Sequence, residues 1–281
     1  STLLKYGVPA TGNQILSYLV RNSDDFFIGR VIGASSLGLY NRAYALMLLP
    51  MANITSVVTN VFFPSWSKIQ NDTAEIKRVY IKISGIIAFL SFPAMMFLAF
   101  LSKPIVSLLF GEEWIKMSTV LSILCFIGMF QSVSALVSLI YKVYDKNILL
   151  FKLKIILSSF TIFAIITSVY IFKSIEITAL SYGVTSLIAL YPSLHYAGKI
   201  INGTFMELIK PIIYPLTLSL LVNFIGWIWF HKLSIDSDLL KILFSGTVTI
   251  TVYIFLSKKF NSQVINDLGN AYKQYKSSRD E

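Results

Sequence analysis

Arg21, Asp24, Asp25 and Gln14 lie in a stretch, about Leu3 to Gly29, whose other residues are mainly apolar. At 100° per residue Gln14, Arg21 and Asp25 share a helical stripe about 40° wide, with Tyr18 beside it. Arg21 precedes the two acids by three and four residues, within ion-pair reach on one helix face. An ionisable residue at the centre of a membrane span costs about 2.5 to 3.5 kcal/mol, so such residues are kept for a task or moved to an interface. Two chemistries fit these residues: a salt bridge at the headgroups, or charges lining a wet cavity.

The next apolar stretch repeats the pattern. Relative to Arg42, Asn53 falls at about 20° and Asn60 near 0°, with Ser56 close by. Lipid does not tolerate such faces, so two neighbouring polar stripes predict a water-filled cavity between the first two helices. Gln131, Ser134, Ser138 and Tyr141 form a milder stripe further on, which interhelical hydrogen bonding explains at least as well as transport does.

The elements that must position these residues are membrane helices. Of 281 residues, 55% are hydrophobic and 14% charged, against about a quarter charged in an ordinary soluble domain. Runs free of Asp, Glu, Lys and Arg extend over Ala43–Ser67, Ile83–Ser102, Met117–Tyr141, Ile155–Phe172, Ile177–Gly198, Pro211–Phe230 and Ile242–Leu256. A crossing needs roughly 18 to 20 residues, and snorkelling lysines extend the last run. With the first stretch, this predicts an all-α polytopic transmembrane bundle of about eight helices. The expected division is a six-helix bundle over 1–200, two additional helices over 201–257 and an amphipathic tail over 258–281. In that tail Phe260, Val264, Leu268, Ala271 and Tyr275 recur at helical spacing, with Lys258, Lys259, Lys273 and Lys276 around them. Such a helix would lie on anionic headgroups, or else fray in water. Ile105 to Phe110, ended by Gly111, reads as an interfacial segment too short to span.

Of the 24 basic residues, 16 lie at the N-terminal end, in the alternate loops and in the tail, 7 lie in the opposite loops, and Arg21 lies within a span. The positive-inside rule then puts both termini in the cytoplasm, and the net charge of +10 reflects topology rather than nucleic acid. Cys125 has no partner for a disulfide. No cofactor or metal is implied, because His195 and His231 share no ligand spacing with Cys125 and no phosphate-cradling loop or Ser/His/Asp set is visible. The chain opens on Ser1 in an apolar pattern with no leader, so it is expected to be the C-terminal portion of something longer.

One set of residues is specific. Asp24-Asp25-Phe26-Phe27-Ile28-Gly29-Arg30, Gly33-Ala34, Leu37-Gly38-Leu39-Tyr40, Ala43-Tyr44, Leu46 and Leu49-Pro50 resemble the seventh and eighth helices of polysaccharide exporters of the MOP superfamily. The nearest kind is the Wzx-type flippase of colanic and teichuronic acid. Phe63-Pro64, and Leu108-Leu109-Phe110-Gly111 before Trp114, are similar to later parts of that family. The resemblance covers Tyr6 to Lys146 well and the rest by hydropathy. It implies the second six-helix bundle of a fourteen-helix transporter plus its final pair, in a bacterial cytoplasmic membrane, with the first bundle as a missing partner. The implied task is to flip an undecaprenyl-diphosphate-linked oligosaccharide across the membrane by ion-coupled alternating access, without covalent chemistry. Arg21 and Arg42 are then candidates for the diphosphate or sugar, with Gln14, Tyr44, Asn53 and Asn60 as hydrogen-bonding lining. Asp24 or Asp25 is the candidate for the coupling proton or cation. Two alternatives stand beside this reading: a cation-coupled multidrug antiporter of the same superfamily, and a polytopic glycan polymerase or ligase. The arginines count against the first and the short outward loops against the second.

Overall fold

The computed structural model describes residues 2–68, 72–232, 237–260 and 264–269, with the side chains of 2–10, 56–68, 238 and 260 outside the description. Among the described residues the chain is helical throughout. The long helices are α1 (Thr2–Phe27), α2 (Ala34–Lys68), α3 (Thr73–Phe100), α5 (Met117–Val143), α6 (Asn147–Phe172), α7 (Ile175–Ile200), α8 (Phe205–Lys232) and α9 (Asp238–Phe260). The short α4 (Ser102–Phe110) and a 3-10 turn (Glu112–Trp114) separate α3 from α5. Eight long helices match the number of crossings expected from hydropathy. Six of them, α3 and α5 to α9, are long and apolar enough to cross a membrane, and the chain is a multi-pass membrane protein.

Local chemistry sets the helix ends. Asp72 caps α3, its Oδ1 accepting the N–H groups of Ala74 and Glu75 at 3.0 Å each. Before α8, Thr204 and Glu207 form a reciprocal capping box: the Thr204 N–H donates to Glu207 (2.9 Å) and the Glu207 N–H donates to Thr204 Oγ1 (3.3 Å). Lys77 reaches the same Glu207 at 3.4 Å and ties the start of α3 to the start of α8. At the other end, α1 passes into a π-helical turn, Ile28–Ile32, which Gly33 closes with φ +119°. Only glycine adopts that conformation without strain, so the chain reverses there and α2 begins.

α2 starts at Ala34, well before the apolar run that opens at Ala43. Arg42 is therefore two turns inside a helix rather than in a loop. At 35 residues and about 1.5 Å per residue, α2 exceeds the roughly 30 Å hydrocarbon layer and projects beyond it.

In lipid, apolar area gives helices no reason to associate, so close packing and small residues must. α5 is central, lying against α2, α3 and α7. Gly128 of α5 admits Met47 of α2, whose Sδ lies 2.7 Å from where a Cβ would sit. Gly183 of α7 admits Ile127 of α5 at 2.5 Å. α6 bridges α1 and α7, and α8 packs along α3 and carries α9. Tyr40, Tyr80, Tyr141 and Phe92 are the largest fully buried side chains of this core.

Within 264–269 the apolar residues Val264, Ile265 and Leu268 pack onto the bundle beside Phe89, Leu218 and Tyr253, and Asp267 pairs with Lys82 of α3 at 3.0 Å. Within this described stretch the apolar residues cover protein surface. The expected continuation through Ala271, Lys273, Tyr275 and Lys276 falls outside the described residues.

Candidate functional site

The polar face of α1 forms one wall of a cavity. Asn13, Gln14, Ser17, Tyr18 and Arg21, spaced so that they share one side of the helix, meet Ser138 and Lys142 of α5 and Asn147, Leu150 and Lys154 of α6 around a space of about 670 Å³. That is the size range of ligand sites. Three cations line it, Arg21, Lys142 and Lys154, with no carboxylate among the lining residues. Lys154 is held by α1, its ammonium donating to Ser17 Oγ at 2.9 Å. Asn13 and Asn147 are 7% and 3% exposed, and the side-chain Oδ1 of Asn13 and Nδ2 of Asn147 have no partner among the described residues. A buried polar atom without a partner is costly, so both are available to a polar ligand.

A second space of about 250 Å³ continues the first inward. It shares Ser138, Leu150 and Lys154 and is bounded by Gln131, Ser134 and Tyr141 of α5 and Ser186 and Ser193 of α7. The α5 stripe has two surroundings. It borders a cavity, and it also ties α5 to α7: Gln131 Nε2 donates to Tyr182 Oη at 2.7 Å and Tyr141 Oη donates to the Ser193 carbonyl at 2.9 Å.

Tyr182 leads to the buried acid. Tyr44 of α2 lies beside it, and Tyr44 stacks on Tyr40 with ring centroids 6.5 Å apart. Tyr40, 1% exposed, donates its hydroxyl to Asp24 Oδ2 at 2.8 Å, and Asp24 is itself only 2% exposed. The Asp25 N–H donates to the other oxygen, Oδ1, at 3.0 Å. Hydroxyl and amide donors replace the water that a carboxylate loses on burial, without which the burial would be prohibitive. Asp25 is half-buried on the same side as Arg21, but no salt bridge joins Arg21 to either acid among the described residues.

The structure therefore brings together Gln14 and Arg21 in the cleft, and Asp24 and Tyr44 in the acid cluster. Arg42 and Asn53 are exposed on α2 and line neither space; Asn53 Nδ2 donates to the Leu49 carbonyl at 2.8 Å. The Asn60 side chain lies outside the described residues. The cavity expected between the first two helices is instead bounded by α1, α5 and α6. The reason is packing: α2 turns its Tyr40, Ala43 and Met47 face inward, which sends Arg42 and Asn53 outward. Sequence reasoning did not select Lys142, Asn147 and Lys154. Lys142 falls one turn beyond Ser138 on the α5 stripe, a signal that extending the stripe past its apolar run would have caught.

Comparison with known proteins agrees with the resemblance read from the α1 and α2 residues. Residues 1–119 match the family model described as "Polysaccharide biosynthesis protein". The chain is similar to the Wzx-type polysaccharide exporters. It is 34% identical over 130 residues to the lipopolysaccharide biosynthesis protein WzxC of Escherichia coli, covering 46% of this chain and 26% of that one. The teichuronic acid biosynthesis protein TuaB of Bacillus subtilis is 30% identical over 126 residues, 45% of this chain and 26% of its own length. A longer match, 26% identical over 206 residues, joins 72% of the chain to 52% of the amylovoran biosynthesis protein AmsL of Erwinia amylovora. The chain thus spans between about a quarter and half of these relatives. No solved structure matches it.

Proposed function

We propose that this protein flips an undecaprenyl-diphosphate-linked oligosaccharide from the cytoplasmic to the outer leaflet for cell-surface polysaccharide assembly. The observation that carries the proposal is the cleft, which has three cations, no carboxylate and a lining of amides and hydroxyls. A diphosphate asks for charge-assisted donors, a sugar asks for amides and hydroxyls, and the polyprenyl tail needs neither and remains in the bilayer. Arg21, Lys142 and Lys154 take the diphosphate; Gln14, Asn13 and Asn147 take the first sugars. The protein binds and moves its cargo and breaks no bond, so it is a transporter rather than an enzyme.

The cleft opens where α5 ends and α6 begins, the end that the positive-inside rule assigns to the cytoplasm, and loading occurs there. Arg42 and Asn53, turned away from this bundle, face a second lobe against which it rocks. Asp24 or Asp25 carries the coupling proton or cation, since membrane carboxylates serve as such relays.

Polymer export by the full-length protein tests the reading. Arg21→Ala and Lys154→Ala lower export at unchanged protein level, and Asp24→Asn or Asp25→Asn export loses its sensitivity to collapse of the ion gradient. Wild-type export by the Arg21 and Lys154 variants removes the cleft from the mechanism. Unchanged gradient sensitivity in both Asp variants removes the coupling role.

A further inference from the structure

At the opposite end of the bundle from the basic cleft, a separate pocket of about 360 Å³ lies between α4, the 3-10 turn and the last turn of α8. Its chemistry differs from that of the cleft. Lys103 of α4 and Glu112 of the turn both line it and form no salt bridge with each other among the described residues. Glu112 accepts the Ser107 hydroxyl, which holds the carboxylate at the rim. The His231 ring lies tilted at 53° against that of Trp227 with centroids 4.6 Å apart, and its Nδ1 lies 2.9 Å from the Trp227 carbonyl oxygen. A carbonyl only accepts, so Nδ1 carries the hydrogen, and in that tautomer of the imidazole Nε2 is the nitrogen with the lone pair.

The level of the pocket in the membrane follows from its neighbours. Three of the four tryptophans, Trp114, Trp227 and Trp229, belong to this end, and tryptophan gathers at the headgroup layer. Leu108 and Leu109 of α4 are 46% and 59% exposed, as an interfacial helix requires.

We propose that this pocket binds the headgroup of an amine-bearing zwitterionic phospholipid, with phosphoethanolamine as the chemical class. Two of its features seek a small cation that donates hydrogen bonds: the Glu112 carboxylate and the His231 Nε2 lone pair. A third, Lys103, seeks a phosphate. A primary ammonium joined to a phosphate by two carbons satisfies all three at once. A purely anionic headgroup leaves Glu112 opposing it, and a quaternary ammonium has no N–H for His231.

The test uses the whole chain in nanodiscs holding equal mole fractions of phosphatidylethanolamine, phosphatidylcholine and phosphatidylglycerol. Trp66, Trp114 and Trp229 are replaced by Phe, so that emission reports Trp227 alone. One lipid at a time is then supplied in a form brominated near the top of its acyl chains. Trp227 is quenched more by brominated phosphatidylethanolamine than by either other lipid, and E112Q abolishes that excess, as does K103A. Equal quenching by all three lipids overturns the proposal and leaves only ordinary lipid contact. A preference for phosphatidylglycerol overturns it in favour of an anion site built on Lys103. Both variants are exposed surface substitutions, and circular dichroism of the same samples confirms that the fold is retained.

Discussion

Tyr40→Phe isolates one hydrogen bond on which the acid cluster rests. The substitution keeps the ring, its stacking on Tyr44 and the volume that fills the core, and it removes only the hydroxyl that donates to Asp24 Oδ2 at 2.8 Å. With Asp24 at 2% exposure, water cannot replace that donor, and Oδ1 is already occupied by the Asp25 N–H. A hydrogen bond to a charged group contributes about 1.5 to 3 kcal/mol in soluble proteins. Interhelical hydrogen bonds in membranes average about 0.6 and reach about 1.7 kcal/mol, because the unfolded helices find other partners in lipid. A carboxylate on one helix and a phenol on the next belongs at the top of the membrane range, so the expected coupling is about 1 to 2 kcal/mol. The assay is a double-mutant cycle of Tyr40→Phe and Asp24→Ala, read by reversible unfolding in mixed micelles of rising SDS fraction. A coupling energy below about 0.5 kcal/mol, the usual error of additivity, would refute the reasoning.

Three further outcomes follow from other parts of the bundle. Lys142→Ala and Lys154→Ala each remove a charge-assisted contact of about 1.5 to 3 kcal/mol, so the dissociation constant for a short-chain polyprenyl-diphosphate glycan rises roughly tenfold to a hundredfold; Arg42→Ala, outside the cleft, leaves it unchanged in calorimetry on this chain. Gly198→Ala places a Cβ 2.8 Å from the Gly203 carbonyl oxygen, backbone that cannot rotate aside, so it costs about 1 to 3 kcal/mol in the same SDS titration. Gly183→Ala meets Cδ1 and Cγ1 of the Ile127 side chain, at 2.5 and 2.7 Å, rather than backbone and costs less; the reverse order would contradict the packing described. Lys82→Ala removes a half-exposed ion pair worth at most about 1 kcal/mol and leaves the 264–269 segment docked. Leu268→Asp puts a charge against the Phe89 and Tyr253 cluster and frees that segment to limited proteolysis.

Much of this arrangement was legible before any coordinates. Long runs without charge located the helices, because a bilayer punishes charge more severely than any soluble environment does. The short helix α4 was readable from a brief apolar segment ended by Gly111. Gln14 and Arg21 were readable because helical periodicity fixes which residues share a face. Periodicity cannot say which neighbour that face meets, and there the reading of Arg42 and Asn53 parted from the structure. The π turn at Ile28–Ile32 and the reversal at Gly33 set how α2 leaves α1, and neither has a signature in hydropathy. Lys142 and Lys154 were read as loop charges for a related reason. α5 runs on to Val143 and α6 begins at Asn147, so charge-free runs end before the helices do, and the flanking lysines are helical residues able to turn inward.

The cleft and the acid are separate places, and that separation constrains how one can act on the other. Asp24 lines neither cavity, so a ligand at Lys154 does not touch it. The connection runs through helices: the inner cavity ends at Gln131, Gln131 holds Tyr182, and Tyr182 lies beside Tyr44 next to the Tyr40 and Asp24 pair. A closely packed interior has discrete rather than graded arrangements, so a shift of α7 against α5 breaks or makes the Gln131 to Tyr182 bond as a unit. Coupling between two sites requires an element whose equilibrium both of them bias. On the proposed function, the α5–α7 contact would be that element, with cargo at Ser138 and Lys154 acting on it from the cleft and the state of the acid acting on it through the tyrosines. Ile127 of α5 seats in the notch left by Gly183 of α7, which interlocks the two helices, so that the contact changes as a unit rather than by gradual sliding.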